Sequence, residues 1–522
     1  MLFNSYVFTL LFLPVTAAVF YMVGSSGRHR VAIAWLVAAS LFFYAWWNPA
    51  YVGLIFTSTL INYGLGIILT NRVENNRFSP KAILIVGIGI NIGLLGYFKY
   101  AGFIVHNVTQ VLGFEWQIGA ITLPLAISFF TFQQITYLVD AYRGETKEYN
   151  FLHYCLFVMF FPQLIAGPIV HHREILPQFS RVLIYRFEYS RMAIGITMFV
   201  FGLFKKVVLA DNVSAYATPV FSAAENGEIL TLFEAWGGAL AYTFQLYFDF
   251  SGYSDMAIGL GCIFGVELPV NFNSPYKATN IIEFWRRWHM TLSRFLRDYC
   301  YIPLGGNRGG EVRRYGNLMA TMLVGGLWHG ADWTFVAWGG MHGIFLAVNH
   351  GWRAMRVALG DDLSERRWWG RWLSWNVTFI AVVAGWVVFR SPSFGCVYRV
   401  FDGMMGRNGI ALPAAAFEHF GWPVRVLLED YGWEFRHVEH LHGAAQLAWT
   451  ACLLLVAWVL PNTQEVLARA RQVGGGGRTA AGKRWSWLSW YPNGVWASVI
   501  SLMLTVCLLE MSEVSEFLYF QF

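Results

Sequence analysis

Gly325-Gly326-Leu327-Trp328-His329-Gly330 lies within a glycine-rich apolar stretch, 316–350, of a 522-residue chain. A titratable ring inside membrane-spanning sequence is costly unless it is paired, hydrated or used. Forty residues earlier a second histidine stands in Phe284-Trp285-Arg286-Arg287-Trp288-His289. The chain around them is 56% hydrophobic and 18% aromatic, with a mean hydropathy of +0.45. Only 13% is charged, about half the level of an ordinary soluble domain. That much apolar surface requires lipid as solvent. The 24 tryptophans and 25 tyrosines suit the headgroup depth, where amphipathic rings collect.

Other classes lose support on composition. A net charge of +6 over 522 residues is no nucleic-acid footprint; basic loops facing anionic lipid explain it better. The six cysteines (Cys155, Cys262, Cys300, Cys396, Cys452, Cys507) are scattered without a CxxC pair, so neither a disulfide framework nor a metal site is expected. GxSxG, HExxH and a strand-linked GxGxxG are missing, which argues against soluble hydrolase, metalloprotease and dehydrogenase readings.

Apolar runs of spanning length, roughly 17–25 residues, fall near 6–24, 31–47, 51–70, 82–98, 119–140, 192–210, 375–390, 443–460 and 494–510. The first lacks a basic n-region and is read as a retained helix. Shorter or interrupted runs lie near 100–115, 151–170, 232–270 and 316–350, one of them broken at Gln163-Leu164-Ile165-Ala166-Gly167-Pro168. Such breaks are tolerated at membrane depth only inside protein or along a cavity. The expected architecture is an all-α integral membrane protein, one polytopic domain over 1–522, with about 9–11 transmembrane helices plus re-entrant or interfacial helices.

Loop charge orients the C-terminal half. Arg286, Arg287, Arg294, Arg297, Arg308, Arg313 and Arg314 crowd 281–314; Arg353, Arg356, Arg366, Arg367 and Arg371 crowd 352–372; and linker 461–491 is basic, with Gly474 to Gly477 as a joint. By the positive-inside rule these are cytoplasmic. Loop 392–442 is richer in acids, Glu418 and Glu429 among them, and is expected on the periplasmic side. Stretch 316–350 must then leave and return to the cytoplasmic face as a hairpin or re-entrant pair. Region 280–350 becomes the cytosolic-side candidate for catalysis.

Within it, 280–299 reads as an amphipathic helix opened by Asn280 and Glu283 in a capping-box-like start, with His289 on the stripe of Trp285, Leu292 and Leu296. His289 is then either a satisfied core histidine or part of a site. His329 is either an interhelical hydrogen-bonding residue or a general base, its imidazole being available near neutral pH. His342, in Gly339-Gly340-Met341-His342-Gly343, has a similar setting. Asp249 and Asp255, flanking Tyr253 in Gln245 to Asp255, suit acid–base work or a proton path, and equally structural pairing. Pro303 to Gly310 is no Walker A loop, but its Asn307, Arg308 and backbone N–H groups suit phosphates.

Taken together these motifs resemble the membrane-bound O-acyltransferases, specifically the bacterial branch containing the alginate O-acetylation membrane protein. The resemblance is carried by Tyr44-Ala45-Trp46-Trp47, Gly96 to Tyr100, Ile165 to Pro168, Gln245 to Asp255, Asn271 to Tyr276, Phe284 to Ser293, Leu304 to Arg308, Gly325 to Gly330 and the terminal Phe517 to Phe522. It runs nearly end to end, strongest over 30–350 and thin over 395–490.

The resemblance implies a helical fold around a tunnel, with His329 as the essential histidine and His289 as its support. Arg286, Arg287, Trp288, Asn307, Arg308, Trp328, Asp249, Tyr253 and Asp255 are the matching candidates for substrate binding. It implies acetyl-CoA as a donor substrate with no bound cofactor or metal. It also implies residence in the bacterial inner membrane, a polysaccharide acceptor of alginate or cellulose type, and periplasmic acyltransferase partner proteins. The alternatives are another acceptor (teichoic acid in D-alanylation, a lipid or a peptide) or, from a different class, a proton-coupled secondary transporter. Inverted repeats would favour the transporter, and none is evident.

Overall fold

In hydrocarbon a backbone N–H or C=O without a partner costs several kcal/mol, and a helix satisfies both within one segment. The computed structural model, which describes residues 1–71, 79–113, 119, 121–146, 150–362, 367–413, 422–436, 438–473, 483–511 and 517–518, is accordingly almost entirely helical. Arg366, Glu418, the Gly474 to Gly477 joint and Tyr519 to Phe522 lie outside the described residues. Among the described residues, five helices are long and apolar enough to cross a membrane: Val7–Ser25, Ala50–Thr70, Pro80–Leu112, Tyr189–Glu225 and Trp368–Arg390. His29–Ala45, Gly443–Trp458 and Gly494–Glu510 are shorter apolar helices. The chain is an all-α integral membrane protein.

Four expected runs take a different form. The run near 119–140 begins irregularly, and its helix, Ile127–Tyr142, starts only after a left-handed Ala126. Almost every residue of that helix is buried inside protein, so it is a core helix. The runs near 82–98 and 100–115 are one 33-residue helix that absorbs its glycine in a π-helical turn, Gly96–Tyr100. The run near 232–270, expected to be interrupted, holds an unbroken 32-residue helix, Leu232–Ile263. The break at Gln163 to Pro168, by contrast, is wholly buried. There the Gln163 amide donates to the Phe157 carbonyl at 2.7 Å and the Gly167 N–H to the Gln163 carbonyl at 3.1 Å.

The chain divides into two compact units, one formed by Met1–Phe204, Gly252–Asn271 and Thr463–Phe522, the other by Lys205–Ser251 and Phe272–Asn462. In the first unit, buried amides join helices where no water competes. Asn62 and Asn91 exchange hydrogen bonds at 2.6 and 3.3 Å. A glycine seam lets helices touch backbone to backbone, since a Cβ on Gly202 would lie 2.4 Å from the Gly252 carbonyl oxygen.

The second unit contains the expected hairpin. Helices Glu311–His329 and Trp333–Ala358 are joined by three residues and pack along another glycine seam. A Cβ on Gly326 would lie 2.2 Å from the Phe335 carbonyl oxygen, and one on Gly339 2.3 Å from that of Met322. Small residues permit such approach, and dispersion plus weak Cα–H···O contacts reward it. Asp332 caps the second helix, accepting from the Thr334 N–H at 2.9 Å. The loop expected over 392–442 carries a helix, Phe394–Met404, and a parallel two-stranded ribbon, Ile410–Pro413 with Trp433–Arg436. Asp249 finds its partner in Lys206, at 2.8 Å and nearly dry, with Asp211 on the same ammonium at 2.7 Å.

A bulky side chain on the hairpin seam has nowhere to go. Gly339→Val is expected to lower stability by about 1–3 kcal/mol, read as thermal unfolding in detergent. Lys206→Met leaves a buried carboxylate without its cation and is expected to cost roughly 3–5 kcal/mol. Adding Asp249→Leu should recover most of that loss in the same measurement.

Candidate active site

The segment entering the site begins as its sequence suggests and then departs. Asn280 caps a helix by accepting from the Glu283 N–H at 2.9 Å. The Glu283 carboxylate reaches one residue further back than a capping box would, to the Thr279 N–H at 2.9 Å and hydroxyl at 3.1 Å. It also accepts from Arg287 at 2.8 Å. Partial burial works against its charge, but these donors together hold it below the usual carboxylate range.

The helix spans only Ile281–Trp285. The Asn273 N–H takes the Arg287 carbonyl at 3.0 Å, an acceptor that a continuous helix would use internally. His289 then adopts a left-handed backbone, φ 41° and ψ 54°, and opens a second helix, Met290–Leu296. The expected single amphipathic helix over 280–299 is thus two short ones. A non-glycine residue held left-handed costs about 1–2 kcal/mol; packing must over-determine it, and such positions concentrate at functional sites. His289 does face inward as expected, fully buried, but the turn rather than a helical stripe directs it. Its ring meets Phe250 edge-on at 4.8 Å and Trp328 at 6.1 Å between centroids.

His329 ends the first hairpin helix. Gly330 follows in extended backbone, and a Cβ there would lie 2.1 Å from the Phe335 ring, so the histidine and that phenyl share a corner with no spare volume. His329 is 6% exposed, and its ring is walled by Trp328 at 4.9 Å, Trp338 at 5.1 Å and Phe389 at 5.2 Å. Trp328 touches both histidines, so the two lie in one aromatic core. Trp288 belongs there too, its ring tilted against that of Trp386 at 4.7 Å between centroids. His342 sits behind Trp338 at 4.9 Å and beside Trp285 at 5.3 Å.

The polar candidates distribute differently. Arg286 is exposed, and Arg287 is paired with Glu283. Asn307 and Arg308 are exposed in the glycine loop, where Asn307 accepts from the Tyr301 hydroxyl at 2.6 Å. Gly305 and Gly309 give that loop its shape at φ 115° and 91°, conformations open to glycine alone. Asp249 is held by Lys206. Tyr253 and Asp255 belong to the other unit. There Tyr253 packs on Phe3 and Phe517, and Asp255 accepts from Gln464 at 3.1 Å. The residues that sequence reasoning missed are Trp338 and Phe389, the walls of His329. Neither stands in a recognisable spacing, and only the fold brings them there.

The site is a nearly buried histidine walled by aromatic rings, and the exposed glycine loop packs at the opposite end of its helix, where Asn317 donates to the Gly306 carbonyl at 3.1 Å. Comparison with known proteins supplies the family. Residues 141–384 match the model of the MBOAT, membrane-bound O-acyltransferase family. The chain is 43% identical over 505 residues to a peptidoglycan O-acetyltransferase of Helicobacter pylori, covering 87% of this chain and 94% of that protein. It is 42% identical over 409 residues to a probable alginate O-acetylase of Pseudomonas aeruginosa, covering 77% of this chain and 75% of that one. A teichoic acid D-alanyltransferase of Streptococcus thermophilus is 28% identical over 51% of this chain and 68% of its own. The chain belongs to the membrane-bound O-acyltransferase family and is an acyltransferase.

Proposed function

We propose that this protein takes acetyl from cytosolic acetyl-CoA and delivers it across the bacterial inner membrane for O-acetylation of polysaccharide hydroxyls, with His329 as general base. The single observation that carries the reading is the setting of His329: an almost dry imidazole, walled by three aromatic rings, in a chain of the O-acyltransferase family. An imidazole so placed can accept the proton of an attacking hydroxyl. As that oxygen bonds to the thioester carbon, the C–S bond breaks, and the imidazolium returns its proton to the departing thiolate. His289, locked by its left-handed turn and sharing Trp328, supports the geometry.

The sides of the membrane follow from charge. Segments 281–314, 352–372 and 461–491 are placed in the cytoplasm, where Arg286 and Arg308 meet the phosphates of coenzyme A. Residues 392–442 are placed on the periplasmic face, where partner acyltransferases would dock and finish transfer to the polymer. Two acceptors suit the relatives named above: an alginate-like exopolysaccharide, and the glycan of peptidoglycan, which the 43% relative favours. Both offer sugar hydroxyls as the final acyl acceptor.

Protein reconstituted in vesicles with labelled acetyl-CoA is expected to release CoA only when an acceptor glycan or partner is present outside. His329→Ala should slow that release roughly 10²–10⁴-fold while leaving acetyl-CoA binding in place. Release by His329→Ala at the wild-type rate would overturn the base assignment. Label appearing in peptidoglycan but not in an alginate-like polymer, or the reverse, decides the acceptor.

A further inference from the structure

Three tryptophans of the second unit show how this core treats a buried indole. The Trp375 N–H donates to the Tyr276 carbonyl at 2.7 Å, the Trp386 N–H to the Tyr276 hydroxyl at 3.1 Å, and the Trp236 N–H to the Met404 carbonyl at 3.0 Å. Two others break the rule. The indole N–H groups of Trp285 and Trp338 are buried with no hydrogen-bond partner among the described residues, and so are both ring nitrogens of His342. These three side chains form one cluster. Trp285 and Trp338 lie 5.8 Å apart, and His342 lies 5.3 Å from the first and 4.9 Å from the second. His342 and Trp338 are 0% and 1% exposed. A buried polar group left unpaired costs about 1–3 kcal/mol. Four such atoms carried by three mutually contacting rings call for a functional account.

The chemistry of the cluster is lopsided. A Cβ on Gly385 would lie 2.8 Å from Nε2 of His342, so helix Trp368–Arg390 backs onto that nitrogen with only a weak C–H donor. This favours a lone pair on Nε2 and the proton on Nδ1. The cluster then offers three N–H donors, two indole and one imidazole, with no free acceptor except the blocked Nε2. A donor-rich, water-poor site is complementary to an oxygen that gains negative charge. Trp338 is also a wall of His329, at 5.1 Å between centroids.

We propose that Trp285, Trp338 and His342 form the subsite that binds the thioester carbonyl oxygen and stabilises the oxyanion of the tetrahedral intermediate. This rests on the acyl-transfer reading with His329 as base. As the hydroxyl oxygen bonds to the carbonyl carbon, its proton passes to His329 and the C=O π electrons move onto the carbonyl oxygen. The N–H donors hold that charge until the carbonyl re-forms and the thiolate leaves.

The test removes a donor without removing the ring. Benzothienylalanine replaces the indole N–H by sulfur at nearly constant shape, and it is introduced at 285 and at 338 separately. His342→Phe is the companion variant, and thermal unfolding in detergent checks that each still folds. With acetyl-CoA in vesicles, at least one tryptophan isostere is expected to lower kcat roughly 10²-fold, as loss of one oxyanion donor does, with KM for acetyl-CoA within about twofold. Wild-type kcat at both positions, alongside an inactive His329→Ala, would overturn the oxyanion subsite and leave the base standing. An active His329→Ala removes the base reading instead. If His342→Phe fails to fold, the two isosteres decide alone.

Discussion

The backbone contact between Gly326 and Gly339 sets the site. With lipid as solvent there is no hydrophobic drive to press one helix on another, so close packing must supply the attraction. The hairpin meets this demand with glycine facing carbonyl on both strands of the seam. That contact fixes how far apart the two helices run, and the three-residue turn at their end then leaves little freedom. His329 ends one helix, Trp338 stands on the other, and their rings meet because the backbones already do. Gly330 extends the same logic, giving up its side-chain volume to the Phe335 ring.

A second constraint is that every break in a helix must be paired or buried. Glycines inside the long helices do not break them, since the π-helical turn at Gly96–Tyr100 keeps its hydrogen bonds internal and Leu232–Ile263 runs straight through Gly252, Gly259 and Gly261. Breaks occur where the missing bonds are supplied: at Arg287, whose carbonyl goes to Asn273, and around Gln163 to Pro168, where the glutamine serves its own turn and the Phe161 N–H goes to the Ser40 hydroxyl at 3.2 Å. Tertiary hydrogen bonding decides where helices stop, more than glycine content does.

That explains what could be read from the sequence. Apolar run length and charge asymmetry foresaw most helices, and the need to return to the basic side foresaw the hairpin, because these depend on composition over many residues. The Asn280 cap was legible because capping is local. The turn at His289 was not, since the deciding bond comes from Asn273, and helical spacing through 285, 289 and 292 gave a plausible but wrong reason for the right burial. The helix Ile127–Tyr142 is less apolar than the spanning helices, and its Gln133, Gln134 and Asp140 are a core signature that run length alone passes over. For the site, His329 and Trp328 stood in a motif, whereas Trp338 and Phe389 lie among many similar aromatic residues.

The aromatic richness of the chain therefore has two meanings. At the membrane interface a tryptophan places its ring in the hydrocarbon boundary and its N–H in water. In the interior of the second unit protein acceptors take the place of water, as at Trp375, Trp386 and Trp236, and on the proposal above the N–H groups of Trp285 and Trp338 serve the acyl carbonyl. Aromatic rings exclude water better than any polar lining, which strengthens the electrostatics of the groups they enclose. An enzyme that must move an acyl group without hydrolysing it benefits twice from this choice. On the reading proposed above, the rings that would keep water from the thioester also supply N–H donors at their edges.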